Sequence, residues 1–282
     1  MKIGLGTVQW GLDYGIANTH GIPSDEVLNS IFALANKAGI NLFDTAVQYG
    51  EAEKRLGQFS NPEHRIVTKL GNLTPQNSLK IQLENSFKHL KREKIYGCLF
   101  HNIEELTKNN DLWTELLDYK AAGKISKIGY SLYEPQDLLD LLEAGLHPDL
   151  IQLPYSILDR KFEPYFEQLK SLGTEIHIRS VFLQGLYFKP MEALSSKFND
   201  LKSALKEVEE IATEFGLTKV ELALNYVLKN EYVDYAIIGV EQSSQLKEII
   251  NASKIDFSKS IEEQLNALSV ENPTLLNPSN WK

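Results

Sequence analysis

A carboxylate, a phenol, an ammonium and an imidazole occur in this sequence where a parallel α/β fold would gather them. Asp44 ends an apolar run of Ile40, Leu42 and Phe43, and Tyr49 follows five positions later, just before Gly50. Lys69 closes the run Val67-Thr68, and His101 closes Leu99-Phe100. Together the four would form a proton-donating site for carbonyl reduction. A free phenol has a pKa of about 10, too high for efficient acid catalysis near neutrality. A nearby ammonium stabilises phenolate and lowers that pKa, and a carboxylate keeps the ammonium charged and oriented. On this reading Lys69 acidifies Tyr49, Asp44 holds Lys69, and Tyr49 protonates a carbonyl oxygen while hydride reaches the carbon. His101 orients the carbonyl or shares the proton transfer.

These residues need strands to carry them. Short β-prone runs fall at residues 2–6, 40–44, 65–69, 95–101, 126–131, 150–153, 175–180 and 235–239. Patterns of helical period separate them, at 24–38, 76–91, 103–122, 135–144, 160–172, 200–215, 219–229 and 242–251. This alternation predicts a single (β/α)8 TIM barrel over residues 1–282, with an open doubly wound sheet as the structural alternative. Asp44, Lys69, His101, Ser131, Gln152 and Ser180 lie at or near successive strand ends, which in a barrel share the C-terminal rim where active sites sit. Period-two alternation puts Asp44 above Leu42, Lys69 above Val67 and His101 above Leu99, each capping an inward apolar column.

Composition narrows the class. The chain has 282 residues, 43% hydrophobic, with a net charge of −9 and no basic cluster, which argues against nucleic acid or an anionic membrane surface as a partner. The one cysteine, Cys98, excludes an intrachain disulfide. No apolar run approaches the roughly 20 residues of a membrane span, and the first residues lack a signal-peptide core, so a cytoplasmic location is expected. His20, His64, His89 and His147 have no metal-ligand spacing, and no metal is expected.

The chain resembles the aldo-keto reductase superfamily over nearly its whole length. The matching segments are Gly4-Leu5-Gly6-Thr7, Gly39 to Ala46 with Tyr49-Gly50, Val67-Thr68-Lys69, Leu99 to Asn102, Ile128 to Ser131, Ile151 to Tyr155 and Gln184-Gly185-Leu186. The resemblance implies a barrel enzyme that reduces aldehydes or ketones with NADP(H) or NAD(H). It implies Tyr49 as proton donor supported by Asp44, Lys69 and His101. It also implies that Ser131 and Gln152 hold the nicotinamide carboxamide, that Ser180 lies near the pyrophosphate, and that Gly239, Gln242 and Gln245 wrap the adenosine end. Arg179 replaces the aromatic that many members stack on the nicotinamide, and a guanidinium plane can stack too. Trp10 is placed at the substrate wall. Members that prefer the phosphorylated cofactor carry Lys or Arg where this chain has Glu241 and glutamines, which points toward NADH or weak discrimination. The polar stretch 11–23, with Asp13, Tyr14, Asn18 and His20, suits a small hydroxylated or sugar-like carbonyl substrate.

Each residue also has an ordinary reading. Asp44 alone is a helix cap, Lys69 a solvated lysine, Tyr49 and His177 packing residues, and Cys98 a small hydrophobe facing the helices. Trp10 is equally a structural tryptophan. The tail 272–282 either covers the barrel mouth with Trp281 or frays. A regulatory or sensor subunit that binds cofactor on the same barrel, with little catalysis, is the alternative function. A metal-dependent barrel hydrolase or lyase ranks third.

Overall fold

The computed structural model describes residues 1–109, 111–255 and 258–281. Eight strands form its centre: β1 (Ile3–Gly6), β2 (Leu42–Asp44), β3 (Arg65–Leu70), β4 (Ile95–Phe100), β5 (Ile125–Ser131), β6 (Leu150–Pro154), β7 (Glu175–Arg179) and β8 (Tyr235–Gly239). Each pairs in parallel with the next, and β8 pairs with β1, so the sheet closes into the expected (β/α)8 barrel.

The described helices are α1 (Asp25–Ala38), α2 (Ala52–Phe59), α3 (Leu79–Leu90), α4 (Glu104–Lys108), α5 (Asp111–Ala121), α6 (Pro135–Glu143), α7 (Phe166–Ser171), α8 (Asn199–Glu214), α9 (Lys219–Lys229), α10 (Ser243–Ala252) and α11 (Lys259–Ala267). In α1 the Ser24 hydroxyl accepts from the Val27 N–H, and Leu28, Ile31, Phe32 and Ala35 form the buried stripe. That is the amphipathic pattern of a helix packed on a sheet. The expected helix 103–122 is two helices, and its residue Asn110 lies outside the described residues. The expected helix 160–172 begins with a 3-10 turn, Glu163–Tyr165, because Pro164 favours the first turn and cannot donate inside a helix. Neither α2 nor α11 was foreseen. In α2 the charged residues and Gly57 blur the periodicity, yet α2 packs so closely on α3 that a Cβ at Gly57 would lie 2.1 Å from the His89 carbonyl.

Inside the barrel, Leu42, Val67, Leu99, Leu150 and Ile237 form their own apolar cluster, separate from the larger layer between strands and helices. Asp44, Lys69 and His101 follow the first three of these along their strands. Cys98 faces the outer layer, fully buried.

The N-terminal end of the barrel is closed by charge. The Glu175 carboxylate accepts from His177 Nε2 at 2.6 Å and from the Tyr96 hydroxyl at 2.7 Å, with Lys127 Nζ at 3.0 Å. The Arg65 guanidinium lies 5.0 Å from the ring centroids of both Tyr96 and Tyr235. His177 is wholly buried and packs edge-on against Tyr235 at 5.2 Å. The tail folds into two 3-10 turns, Pro273–Leu276 and Pro278–Trp281. Trp281 is buried edge-on against Phe198, just before α8, and does not line the cavity at the barrel mouth; Lys282 lies outside the described residues. Among the described residues no helix is long and apolar enough to cross a membrane.

Burial alone would raise the Glu175 pKa, but the hydrogen bonds from His177 and Tyr96, with Lys127 beside them, hold it at about 2. Its stabilisation is therefore complete above the unfolded-chain value of 4.5 and is lost as pH falls from there to about 2. Glu175→Gln should lower the midpoint of thermal unfolding at neutral pH by about 2–5 °C. It should also flatten the acid-side loss over that window. An unchanged acid slope in differential scanning calorimetry would contradict this account.

Candidate active site

Tyr49 stands in the turn between β2 and α2. The turn is tight: the Tyr49 N–H bonds to the Ala46 carbonyl at 3.0 Å, and the Tyr49 carbonyl accepts from Ala52 N–H at 3.1 Å. Backbone from the loop after β1 crosses it at very short range. A Cβ on Gly11 would lie 1.9 Å from the Tyr49 carbonyl oxygen, and Gly50, at φ 57°, would place a Cβ 2.5 Å from the Gly11 oxygen. Only glycine fits at both positions.

Below the phenol lies Lys69, wholly buried on β3. Its Nζ donates to Asp44 Oδ2 at 2.6 Å and to the Thr45 carbonyl at 2.9 Å. The other Asp44 oxygen accepts from Gln152 Nε2 on β6 at 2.8 Å. Lys69 Nζ sits 5.2 Å from the centre of the Tyr49 ring, and the His101 ring meets Tyr49 edge-on at 5.7 Å. The four residues thus converge at one end of the barrel.

The electrostatics differ from the expectation in one respect. Lys69 was expected to acidify Tyr49. Instead, burial pushes the Tyr49 pKa up, Asp44 adds to the rise, and the cation that opposes them is Arg179. The positive charge of Lys69 is already committed to Asp44. Burial also lowers the Lys69 pKa against the pull of Asp44. His101 is held at about 3 by burial and by the cations Lys69 and Arg179, so its imidazole is neutral. At neutral pH the site presents a protonated phenol and an uncharged imidazole beside two cations.

Above them opens a cavity of about 620 Å³, within the span of about 300–1,000 Å³ usual for ligand pockets. Asp44, Tyr49, His101, Gln152, Arg179, Ser180, Gly239 and Gln245 line it. Arg179 lies flat on the Tyr133 ring, 3.9 Å from its centroid, and donates to the Leu132 carbonyl at 2.8 Å. The loop after β1 reaches the loop after β7, where Tyr14 and Gln184 hydrogen-bond across the cavity. Ser180, Leu183 and Gln184 there hold φ of 62°, 46° and 53°, backbone that is strained for side-chain-bearing residues.

Other expected residues fall elsewhere. Trp10, expected at the substrate wall, has no exposed surface. It packs on Phe32 and Phe43 at 5.4 and 6.1 Å and donates its indole N–H to the Val240 carbonyl. The loop buries that ring against α1 and β2, so Trp10 is structural. Ser131 and Gln242 are off the cavity wall: Ser131 is buried beside Gln152, and Gln242 caps α10. Of the polar residues in 11–23, Tyr14 and Asn18 reach the cavity, but Asn18 spends both its amide atoms on turns of its own loop. Gln9, Tyr133, Gln184 and Glu248 line the cavity and were not singled out. Tyr133, two positions after Ser131, shares its parity, and that is the one local signal among them.

The cavity suits a long ligand that carries hydrogen-bonding groups. Thr7 Oγ1, Gln9 Oε1 and His101 Nδ1 are buried without partners, and all three residues line it. Buried polar atoms left unpaired cost stability and mark places a ligand completes. Arg179 and Gln152 offer donors near Tyr49, and Gln9 lies against Gly239, where a Cβ would come within 2.5 Å of its amide. A dinucleotide with a nicotinamide amide and ribose hydroxyls has the acceptors and donors to match this set. Among the described residues no group of three or more His, Cys, Asp or Glu is placed to hold a metal.

The aldo/keto reductase family model matches residues 2–269. An uncharacterised oxidoreductase of Bacillus subtilis, YqkF, is 28% identical over 85% of either chain. An L-glyceraldehyde 3-phosphate reductase of Escherichia coli is 25% identical over 83% of this chain and 81% of its own. A chloroplastic pyridoxal reductase of Arabidopsis thaliana is 25% identical over 96% and 84%. A holo-form aldo-keto reductase structure from Bacillus halodurans superposes with a TM-score of 0.76 at 21% identity, over 94% of this chain and 90% of that one.

Removing one partner of a buried ion pair leaves an uncompensated charge, at a cost of about 3–5 kcal/mol. Lys69→Met should lose stability of that order in urea unfolding, and adding Asp44→Asn should recover a large part of it. Equal losses in the single and double variants would show that the two side chains do not depend on each other.

Proposed function

The chain belongs to the aldo/keto reductase family, and on that premise we propose that Tyr49 is the proton donor in reduction of an aldehyde or ketone to an alcohol. The observation that carries the reading is the placement of Tyr49 at the cavity floor, between the buried Lys69–Asp44 pair and the ring of His101. A nicotinamide cofactor, when bound, supplies the hydride. Gln152, Arg179, Ser180, Gly239 and Gln245 are the residues that would hold it along the cavity. The reading treats residues 1–282 as one catalytic domain.

This chain's residues handle the oxygen. As negative charge builds there, the Tyr49 hydroxyl gives up its proton. The raised pKa weakens Tyr49 as an acid, so the transfer follows the growth of strongly basic charge on the oxygen as hydride arrives. It also ensures that the phenol still holds its proton when the carbonyl arrives. The phenolate left behind is stabilised by Arg179, a fixed cation that need not reorganise. Neutral His101 has one N–H to donate and lies beside Tyr49, which suits it to orient the same oxygen. The bridge between Tyr14 and Gln184 narrows access for water.

The cavity admits small carbonyl compounds, and we include hydroxylated ones. The two relatives named for a substrate are named for L-glyceraldehyde 3-phosphate and pyridoxal, both hydroxylated aldehydes. Tyr14, with its hydroxyl pushed up to about 12 by burial, stays a neutral hydrogen-bonding group on the substrate side.

Loss of near-ultraviolet absorbance from reduced nicotinamide, across a panel of plain and hydroxylated aldehydes, is the direct test. Tyr49→Phe should lower kcat by about 10²–10⁴-fold while leaving the unfolding midpoint near that of the parent chain. Full activity in this variant would remove Tyr49 from the mechanism. With its pKa near 3, His101 should leave no inflection in the rate between about pH 5 and 8, where an ordinary histidine titrates. An inflection there that vanishes in His101→Asn would show that the imidazole ionises during turnover.

A further inference from the structure

The cavity has two chemically unlike ends. At Tyr49 and His101 the nearby charges include Arg179 and the buried Lys69. At the far end the wall is Gly239, Val240, Glu241, Gln245, Glu248 and Ile249, the turn from β8 into α10. A dinucleotide whose nicotinamide lies beside Tyr49 therefore has its adenosine half at the start of α10. This follows only if the cofactor reading above holds.

A helix start ordinarily attracts phosphate, because its first N–H groups are unpaired and its dipole is positive there. At α10 the two N–H groups just before the helix are already bonded. The Gln245 side-chain oxygen accepts from the backbone N–H of Glu241 at 2.7 Å and of Gln242 at 3.0 Å. The Gln242 side chain in turn caps the Gln245 N–H. A neutral amide thus occupies the two N–H groups that lead into the helix. The other end of the Gln245 amide holds a carboxylate: Nε2 donates to Glu241 Oε2 at 3.1 Å, and Glu241 is only 7% exposed. Glu248, one turn further along α10, joins the same wall. Lys247, between them in sequence, lines a separate hollow with Thr218, Glu221 and Asn251, toward α9. Among the described residues on the cavity wall, the one Lys or Arg is Arg179, at the opposite end.

We infer that this cavity selects the nicotinamide cofactor that lacks a 2′-phosphate. Glu241 is the acceptor for the adenosine ribose hydroxyls, and Gln245 is the positioning residue that fixes Glu241. A ribose offers two O–H donors, which a fixed carboxylate accepts well. A 2′-phosphate offers no such donors and brings up to two negative charges against Glu241 and Glu248, where the described residues of the wall include no Lys or Arg.

Binding, not turnover, is the test. Quenching of intrinsic tryptophan fluorescence on titration with NADH and with NADPH gives both dissociation constants for the unaltered protein. NADH should bind at least tenfold more tightly. In Glu241→Gln the preference should shrink several-fold, chiefly through tighter NADPH binding, and Glu241→Gln with Glu248→Gln should shrink it further. Far-ultraviolet circular dichroism and the unfolding midpoint confirm that each variant is folded. Equal or tighter NADPH binding by the parent chain would overturn the inference and leave the carbonyl-reductase reading standing. Failure to bind either form would remove that reading and this one together.

Discussion

A lysine without exposed surface governs the rest of this structure. Taking an ammonium out of water costs several kcal/mol, which must be offset where the charge comes to rest. Lys69 recovers it from Asp44 and the Thr45 carbonyl, and Asp44 needs Gln152 for its remaining oxygen. Those contacts span β2, β3 and β6. They exist only in the register that pairs Asp44 with Val67, Lys69 with Leu99 and Ser131 with Gln152. A slip of one residue would turn Lys69 out among the helices and leave Asp44 buried alone. The ion pair and the closure of the barrel therefore enforce each other.

The two ends of the barrel solve the problem of buried charge in opposite ways. At the N-terminal end one carboxylate, Glu175, is ringed by donors from β4, β5 and β7. At the C-terminal end one ammonium is ringed by acceptors, with a second cation, Arg179, braced on Tyr133. The first arrangement is closed to solvent chemistry and serves stability. The second sits under a cavity and holds a phenol and an imidazole uncharged beside Lys69 and Arg179. Preorganised positive potential of that kind acts on a developing oxyanion rather than on the neutral carbonyl that precedes it.

Much of this was legible in the chain, for identifiable reasons. Short β-prone runs separated by patterns of helical period gave the eight strands and pointed to the closed barrel over the open sheet. Period-two alternation put Asp44, Lys69 and His101 on one face, because a strand's geometry leaves no other choice. What stayed hidden depended on contacts between distant segments. Trp10 follows a strand and looks available, yet Phe32 of α1 and Phe43 of β2 bury it. Pairing Lys69 with Tyr49 by type suggested that the ammonium would acidify the phenol; the expected Lys69–Asp44 pair is present, but the cation that opposes the rise in the Tyr49 pKa is Arg179, from β7. The Gln245 amide that holds Glu241 is equally invisible, since a glutamine at a third helical position commonly lies in solvent. The charged, glycine-bearing α2 was missed because its burial comes from close approach to α3 rather than from a stripe of large side chains.

Gly11 and Gly50 carry a lesson about where chemical information resides. The backbone of one loop presses against the carbonyl of Tyr49 through the space that their missing β-carbons leave. Neither residue owns an atom that could touch a substrate. A single methyl group at either would nevertheless lever the phenol away from its neighbours. A scan that replaced each residue by alanine would report these two as essential, while an inspection of reactive groups would pass over them. Part of the specification of this active centre is thus written in hydrogen atoms, as an instruction about what must not be there.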